Sequence, residues 1–201
     1  MVVLSYHTLF HTCHKYRYSR PVLKDIKYFF HIPEVILKQI FYLRVFVLVD
    51  SAKITVVGSG YVGMSLAVLL AQHNDVTILD IDTSRVDKIN AKQSTVVDNE
   101  IESFLAEKEL CLMATIDKQA AYKDASFIIV ATPTNYDPET NRFDTSSVDS
   151  VVDDALALNT SALVVIKSTI PVGHTKFLQQ KYNTNRVIFS PEFLREGQAL
   201  R

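Results

Sequence analysis

The stretch at residues 53–80 constrains the fold of this chain more than any other part of the sequence. It reads KITVVGSGYVGMSLAVLLAQHNDVTILD. An apolar run is followed by a glycine-rich turn, apolar residues at helical spacing, a second apolar run and an acid. This order predicts a strand, a tight turn, a helix and a second strand, which together form the fingerprint of a dinucleotide-binding βαβ unit.

Each glycine of the turn has a separate physical task. Gly58 allows the sharp turn, Gly60 lets the backbone approach a pyrophosphate, and Gly63 lets the helix lie close to the first strand. The helix that begins near Gly60 directs unpaired N–H groups and its positive dipole end at the phosphates. Asp80 lies 17 residues after Gly63, where a carboxylate accepts hydrogen bonds from both ribose hydroxyls and repels a 2′-phosphate. The sequence therefore predicts NAD rather than NADP.

The composition is that of a globular domain with additional sequence. The chain has 201 residues, 48% of them hydrophobic, and a net charge of -1, so charge gives no indication of a nucleic-acid partner. Cys13 and Cys111 fit neither a disulfide framework nor a metal-ligand spacing, which favours a reduced, cytoplasmic setting. His7, His11 and His14 have helical spacing but no fourth ligand or nearby carboxylate, and no metal site is predicted.

Residues 1–52 differ in character from the remainder. They include seven Lys or Arg against three acids, four of the six histidines and no glycine. Histidines and lysines interrupt the apolar run that a secretory signal needs, and Lys38 and Arg44 interrupt the stretch at 35–49, so neither a signal peptide nor an integral membrane segment is predicted. An amphipathic surface helix stays open.

We expect residues 1–52 to be an extension outside the native fold, disordered or helical. Domains of this type commonly begin a residue or two before their first strand, and that strand is predicted to start at Lys53. The sequence contains no methionine between Met1 and Met64. The extension is therefore interpreted as upstream sequence read through from a misassigned start, with a non-AUG start codon at about residues 45–49.

Strands and helices alternate over residues 53–201. Four further apolar runs predict strands, at 110–115, 127–131, 163–167 and 187–190. Amphipathic segments predict a helix capped by Ser84 and helices at 99–108, 118–123, 147–158 and 175–182, with a turn at 137–141. This pattern predicts an α/β fold, a doubly wound parallel sheet of six strands in the order 3-2-1-4-5-6, the Rossmann fold.

Ligands in such sheets bind beyond the carboxyl ends of the strands, which places the loop of Thr132, Pro133 and Thr134 beside the cofactor. Arg85 follows Asp80 by about one helical turn and fits two interpretations, a contact with the adenosine ribose or a solvated surface position. Thr169 likewise fits either a functional hydroxyl or a cap for a helix beginning near residue 171. His174 is predicted to be a surface residue rather than a base.

Four segments read together resemble the UDP-glucose 6-dehydrogenases of the UDP-glucose/GDP-mannose dehydrogenase family. They are GSGYVG at 58–63, ATPTN at 131–135, KSTIPVG at 167–173 and SPEFLREG at 190–197. The match covers residues 53–201, which correspond to the N-terminal NAD-binding domain of that family. SPEFLREG carries most of the specificity, because a generic nucleotide-binding fold does not require it.

The resemblance implies oxidation of UDP-glucose to UDP-glucuronate, with two hydrides passed to two NAD. It implies that Tyr61 and Val62 lie against the pyrophosphate, that Asp80 holds the ribose, and that Thr134 and Thr169 contact NAD. Thr169, Glu192 and Glu196 are the implied catalytic residues, and Glu196 also touches the cofactor. The implied substrate-binding residues are Glu192, Phe193, Leu194, Arg195 and Glu196.

The family's catalytic cysteine, on which a thiohemiacetal is expected, and its dimer-forming central helix have no counterpart in this sequence. The resemblance therefore implies that family members are homodimers and that this chain alone is inactive. Two alternatives stay open. One is a related dehydrogenase acting on UDP-N-acetylmannosamine or GDP-mannose. The other is a catalytically silent NAD-binding module, which would not need Thr169 or the loop at 192–196.

Overall fold

A computed structural model of the chain describes residues 51–139 and 142–191. The predicted extension, apart from its last two residues, lies outside the described residues, and so does the loop at 192–196. The first strand begins at Lys53, while the domain boundaries given above stay a prediction.

A six-stranded parallel sheet forms the centre of the fold. Its strands are β1 (Lys53–Val57), β2 (Asp75–Leu79), β3 (Leu112–Thr115), β4 (Phe127–Val130), β7 (Leu163–Ile166) and β8 (Val187–Phe189). Two short strands, β5 (Asn135–Asp137) and β6 (Arg142–Asp144), form a separate antiparallel pair. The sheet order is β3-β2-β1-β4-β7-β8, which confirms the predicted doubly wound order.

Six helices of the described residues connect these strands. They are α1 (Tyr61–Leu70), α2 (Thr83–Asn90), α3 (Asn99–Glu107), α4 (Lys118–Tyr122), α5 (Ser146–Leu158) and α6 (His174–Lys181). The predicted cap Ser84 is wrong: Asp82 is the N-cap of α2, because its carboxylate accepts a hydrogen bond from the Ser84 backbone N–H. Within the described residues no helix is long and apolar enough to span a membrane.

Two apolar clusters lie on the two faces of the sheet. One contains Ile128 and Val164 of the strands and Val152 of α5, and the other contains Val56 of β1 and Met64 of α1. Strand residues alternate between these clusters because successive side chains point to opposite faces. Burial on both faces explains why the strands read as continuous apolar runs rather than as alternating patterns.

The antiparallel pair was missed in the sequence, where residues 137–141 read as a turn alone. Its strands have three residues each, and their side chains form a contact between Tyr136 and Phe143 with ring centroids 5.0 Å apart. Strands this short carry no clear alternation of apolar and polar residues, so only the turn between them was detectable.

Candidate cofactor site

The loops predicted to carry function follow neighbouring strands at one edge of the sheet. The strand register pairs Val57 with both Leu79 and Val130, and Val130 with Ile166. All four residues end their strands, so the residues that follow them begin loops at the same edge. The glycine turn, Asp80, the ATPTN loop and the KSTIPVG loop therefore lie next to one another, as the sequence predicted.

Two glycines of the turn are required by close packing. Gly58 has φ of +98°, and a Cβ there would lie 2.7 Å from the Ala131 carbonyl oxygen. A Cβ on Gly63 would overlap the carbonyl oxygen of Gly58, because α1 packs directly against the turn. These two positions join the turn to the ATPTN loop and to its own helix, and a side chain at either one would push these parts away from each other.

Gly60 is different, because the space beside it is open. A Cβ at this position would meet no atom of the described residues within 4 Å. Its φ of -76° and ψ of -171° are accessible to any residue. The backbone conformation therefore does not require a glycine here, whereas a ligand that approaches the main chain closely does. This is the space that a pyrophosphate occupies in the predicted site.

The start of α1 is suited to bind an anion. Gly60 is the N-cap residue and has no side chain to accept hydrogen bonds from the first turn, which also contains no acidic residue. The first N–H groups of a helix have no partner within the helix, and the dipole gives this end a partial positive charge. The N–H groups of Tyr61 and Val62 belong to this turn, so the residues present fit a dinucleotide phosphate.

Asp80 is nearly buried, with 8% of its surface exposed, and its carboxylate accepts three hydrogen bonds within the chain. Oδ2 accepts from the Ser59 backbone N–H at 2.8 Å and from the Ser59 hydroxyl at 2.5 Å, while Oδ1 accepts from the Asp82 N–H at 3.0 Å. A carboxylate has about four acceptor positions, so the remaining capacity lies on Oδ1. Asp80 thus also holds the glycine turn, a task that the sequence did not indicate.

Arg85 lies at the surface near Asp82, with 46% of its side chain exposed and its Nε 3.8 Å from Asp82 Oδ2. The Ser84 hydroxyl and backbone N–H donate to Asp82 Oδ1 at 2.7 and 2.8 Å, and the hydroxyl bond is the main reason that the pKa of Asp82 lies below its ordinary value. This arrangement favours the surface interpretation of Arg85. Its contact with the cofactor stays a prediction.

Serine hydroxyls hold the loop that follows β4. Ser168 donates to the Thr132 carbonyl oxygen at 2.7 Å. The Ser147 hydroxyl donates to the Pro133 carbonyl oxygen at 2.8 Å, and its oxygen lies 3.2 Å from the Thr132 hydroxyl oxygen, within hydrogen-bond distance. These bonds fix Thr132 and Pro133 between the KSTIPVG loop and α5. Thr134, the next residue, is only partly buried.

Thr169 is exposed and does not cap a helix. The helix that follows, α6, begins at His174 and has Gly173 as its N-cap residue, in the left-handed conformation with φ of 89°. The capping interpretation of Thr169 is therefore wrong, and the residue lies in the loop after β7, at the edge where the cofactor is predicted. The neighbouring Lys167 donates through Nζ to the Ser190 hydroxyl at 3.1 Å, which joins the loops after β7 and β8.

The prediction that His174 is a surface residue is wrong. Only 12% of its side chain is exposed, and its Nε2 lies 2.6 Å from Asp149 Oδ1. The first turns of α5 and α6 lie side by side, and this pairing was not visible in the sequence because the two residues are 25 positions apart. His174 therefore joins two helices at the end of the sheet that carries the site.

Two exposed apolar side chains were missed in the sequence analysis. Ile81 follows Asp80 at the end of β2 and is 94% exposed, while Ile116 follows the neighbouring strand β3 and is 55% exposed. A detectable signal existed, since each is an apolar residue placed just after a strand rather than within it. Among the described residues, no group of His, Cys, Asp or Glu could hold a metal ion.

The predicted substrate residues lie outside the described part of the chain. They are Glu192, Phe193, Leu194, Arg195 and Glu196. They follow Pro191, the last residue that the structure describes. The start of their loop is defined, because Ser190 donates its N–H to the Ile166 carbonyl oxygen at 3.0 Å. Their roles stay predictions.

Comparison with known families settles the relationship of this domain. Residues 52–201 match the NAD binding domain of the UDP-glucose/GDP-mannose dehydrogenase family. The chain belongs to this family. The match confirms the resemblance carried by the four sequence segments, and with it the Rossmann fold and NAD as the cofactor of the domain.

Several relatives are named as UDP-glucose dehydrogenases. A UDP-glucose 6-dehydrogenase of Streptococcus pneumoniae is 53% identical over 148 residues, which cover 74% of this chain and 38% of that protein. One of Campylobacter jejuni is 45% identical over 150 residues, with the same coverage of both chains. The structure of a UDP-glucose dehydrogenase from Pyrobaculum islandicum has a TM-score of 0.64 and 26% identity, over 75% of this chain and 38% of that one. The chain thus spans about two-fifths of the length of the curated relatives it matches.

Proposed function

We propose that this chain is the NAD-binding part of a UDP-glucose 6-dehydrogenase, which oxidises UDP-glucose to UDP-glucuronate with two NAD. The observation that carries the proposal is the 53% identity over 148 residues to a UDP-glucose 6-dehydrogenase of Streptococcus pneumoniae. The geometry supports it, because the open space at Gly60 and the uncapped start of α1 fit a pyrophosphate.

The adenosine half of the cofactor is proposed to lie over the ends of β1, β2 and β3. The N–H groups of Gly60, Tyr61 and Val62 donate to the phosphates, and the free capacity of Asp80 Oδ1 accepts from a ribose hydroxyl. Ile81 and Ile116 provide exposed apolar surface at the ends of two neighbouring strands, and we assign them to the adenine ring. A ring that covers both side chains removes apolar area from water, which stabilises the bound state by about 25 cal/mol for each Å² buried.

The nicotinamide half and the sugar are proposed to lie over the ends of β4, β7 and β8. When bound, NAD supplies the acceptor for the hydride that leaves C6 of the sugar. Thr134, Thr169 and Glu196 contact the cofactor on this side. The Thr169 hydroxyl would orient a water molecule. The Glu192 carboxylate would act as general base and accept the proton from the hydroxyl oxygen on C6 as the hydride leaves that carbon.

The complete oxidation is proposed to need protein beyond this sequence. The chain spans 38% of the length of its Streptococcus pneumoniae relative, and the catalytic cysteine implied by the family resemblance has no counterpart here. We therefore propose that the chain by itself binds NAD without producing UDP-glucuronate, and that the homodimer expected for the family depends on the remaining part.

Calorimetric titration of the full chain with NAD tests the proposed cofactor binding. A separate titration with UDP-glucose measures whether the chain alone responds to the sugar nucleotide. The proposal expects NAD binding by the chain alone, and a chain that gives no heat with NAD would contradict it. The catalytic part is tested in a chimera in which residues 53–201 replace the matching domain of the Streptococcus pneumoniae relative. We expect the chimera to form UDP-glucuronate and the Thr169→Ala variant of the chimera to lose that activity.

The same chimera distinguishes the two alternatives. A catalytically silent module would bind NAD with normal affinity but give no product, and Thr169→Ala would change nothing. A related dehydrogenase would oxidise UDP-N-acetylmannosamine or GDP-mannose in preference to UDP-glucose once residues 53–201 replaced the domain. The identity to the two glucose enzymes favours UDP-glucose.

A further inference from the structure

Thr95 contacts the glycine turn although it belongs to no dinucleotide-binding motif. It lies in the connection between α2 and α3, and its hydroxyl donates to the Ser59 carbonyl oxygen at 2.6 Å, across 36 residues of sequence. Ser59 is fully buried. Its N–H and hydroxyl both donate to Asp80, so the backbone and side-chain polar groups of Ser59 are all bonded within the chain.

The bond from Thr95 restricts the peptide between Ser59 and Gly60. A trans peptide is planar, with its carbonyl and N–H groups pointing in opposite directions. Fixing the Ser59 carbonyl oxygen therefore fixes the direction of the Gly60 N–H. Without that bond the peptide can rotate more freely, because glycine allows backbone conformations that other residues do not.

The connection that carries Thr95 is itself well held. Ser94 donates from its hydroxyl to the Val96 carbonyl oxygen at 2.7 Å and accepts from the Val96 N–H at 3.2 Å. Val96 packs against the apolar cluster that contains α1. Asp98, two residues later, caps α3 by accepting from the N–H groups of Glu100 and Ile101. The backbone on both sides of Thr95 is therefore held in place, so its hydroxyl has a fixed position relative to the glycine turn.

We infer that Thr95 is a positioning residue for NAD, which acts through the Ser59 carbonyl to aim the Gly60 N–H at the pyrophosphate. The inference rests on the proposed NAD site. It also assigns the donors: because the Ser59 N–H is bonded to Asp80, the N–H groups that reach the phosphate begin at Gly60. The adenine-side connection between α2 and α3 thereby becomes part of the cofactor site without touching the cofactor.

The test compares Thr95→Val, which keeps the shape and loses the hydroxyl, with Thr95→Ser, which keeps the hydroxyl. NAD affinity is measured by calorimetry on the full chain, well below the melting temperature of each variant. Loss of one net hydrogen bond predicts about fivefold weaker binding for Thr95→Val, and Thr95→Ser should bind as the unaltered chain does. If the Thr95→Val variant does not fold, Thr95→Ala provides the same test, because it also lacks the hydroxyl.

Thr184→Val is the matched control. The Thr184 hydroxyl accepts from the Arg186 N–H at 3.2 Å, in a turn before β8, so this variant also loses one hydrogen bond but should bind NAD normally. Equal affinity of Thr95→Val and the unaltered chain would overturn the inference alone, and so would a Thr95→Ser that binds as weakly as Thr95→Val. Failure of the unaltered chain to bind NAD would overturn both the inference and the proposed function.

Discussion

The two halves of the site-bearing edge are held together by different means. Around the glycine turn, Gly58 and Gly63 are in backbone contact with neighbouring segments, and a nearly buried carboxylate accepts three hydrogen bonds. Around the ATPTN loop, neutral hydroxyls of Ser168 and Ser147 donate to carbonyl oxygens. Hydrogen bonds to a charged group are about twice as strong as neutral ones.

This difference matches the tasks proposed for the two halves. The adenosine half of a dinucleotide undergoes no reaction, so a rigid site with donors already in place binds it at the least entropic cost. The other half has to admit a sugar nucleotide and release a product, and its Thr134 and Thr169 lie in more open surroundings. Substitutions should therefore cost more around the glycine turn than around the ATPTN loop.

The largest effect is expected from alanine at Gly63. Its Cβ would overlap the Gly58 carbonyl oxygen, and backbone cannot move aside as a flexible side chain can. Overpacking of this kind should lower the free energy of unfolding by about 3 kcal/mol and abolish NAD binding. Urea unfolding and calorimetry measure the two quantities.

Gly60→Ala provides the contrast, since its Cβ meets no atom of the described residues within 4 Å. Loss of the favourable glycine cap should cost about 1 kcal/mol or less, while the methyl group in the phosphate space should weaken NAD binding more than about tenfold. A Gly60→Ala protein that binds NAD normally would show that the pyrophosphate does not lie there.

Asp80 should give the next largest effect. Asp80→Ala removes a ribose acceptor together with the two bonds to Ser59, so NAD binding should weaken by about 1–3 kcal/mol. Discrimination against NADP should fall as well, because the charge that repels a 2′-phosphate is gone. Calorimetric titration with both cofactors measures this. Asp87→Ala, which removes an exposed carboxylate from α2, should leave both affinities unchanged.

The fold and the place of the site could be predicted because their signals are local. The glycine turn at 58–63 lies between two apolar runs, and each later loop follows an apolar strand, so reading along the chain gave the sheet order and the site-bearing edge. The family resemblance added roles for individual residues. The glycine turn and the alternation of strands and helices needed nothing beyond neighbouring residues, whereas the residue roles needed the resemblance.

What was missed depends on contacts between distant parts of the chain. Asp80 bonds Ser59 across 21 residues, Thr95 bonds Ser59 across 36, and His174 bonds Asp149 across 25. No periodicity or spacing rule connects such pairs, because they meet only after the sheet has brought their loops together. The cap of α2 was a local error, since Ser84 and Asp82 are both good cap residues.

Substitutions around the ATPTN loop, where serine hydroxyls make the bonds, should have smaller effects. Ser168→Ala removes the bond to the Thr132 carbonyl oxygen from a position that is 7% exposed, and a neutral hydrogen bond contributes about 1 kcal/mol. We expect that loss in the free energy of unfolding and a two- to fivefold lower NAD affinity, roughly. Ser150→Ala, at an exposed position on α5, is the control. A Ser168 variant as damaged as Asp80→Ala would remove the distinction between the halves.

Substitution of Arg85 should have the smallest effect on NAD affinity, although this residue lies in the half that contains the glycine turn and Asp80. Its side chain is about half exposed, and its nearest charged partner, Asp82, is 3.8 Å away and equally exposed. Exposed pairs of this kind contribute little because water and salt screen them. Arg85→Ala should therefore change NAD affinity by less than about twofold, measured by calorimetry at low and at physiological salt. A loss of tenfold or more would restore the interpretation in which this arginine contacts the ribose, and would show that the rigid half extends beyond Asp80 onto the surface of α2.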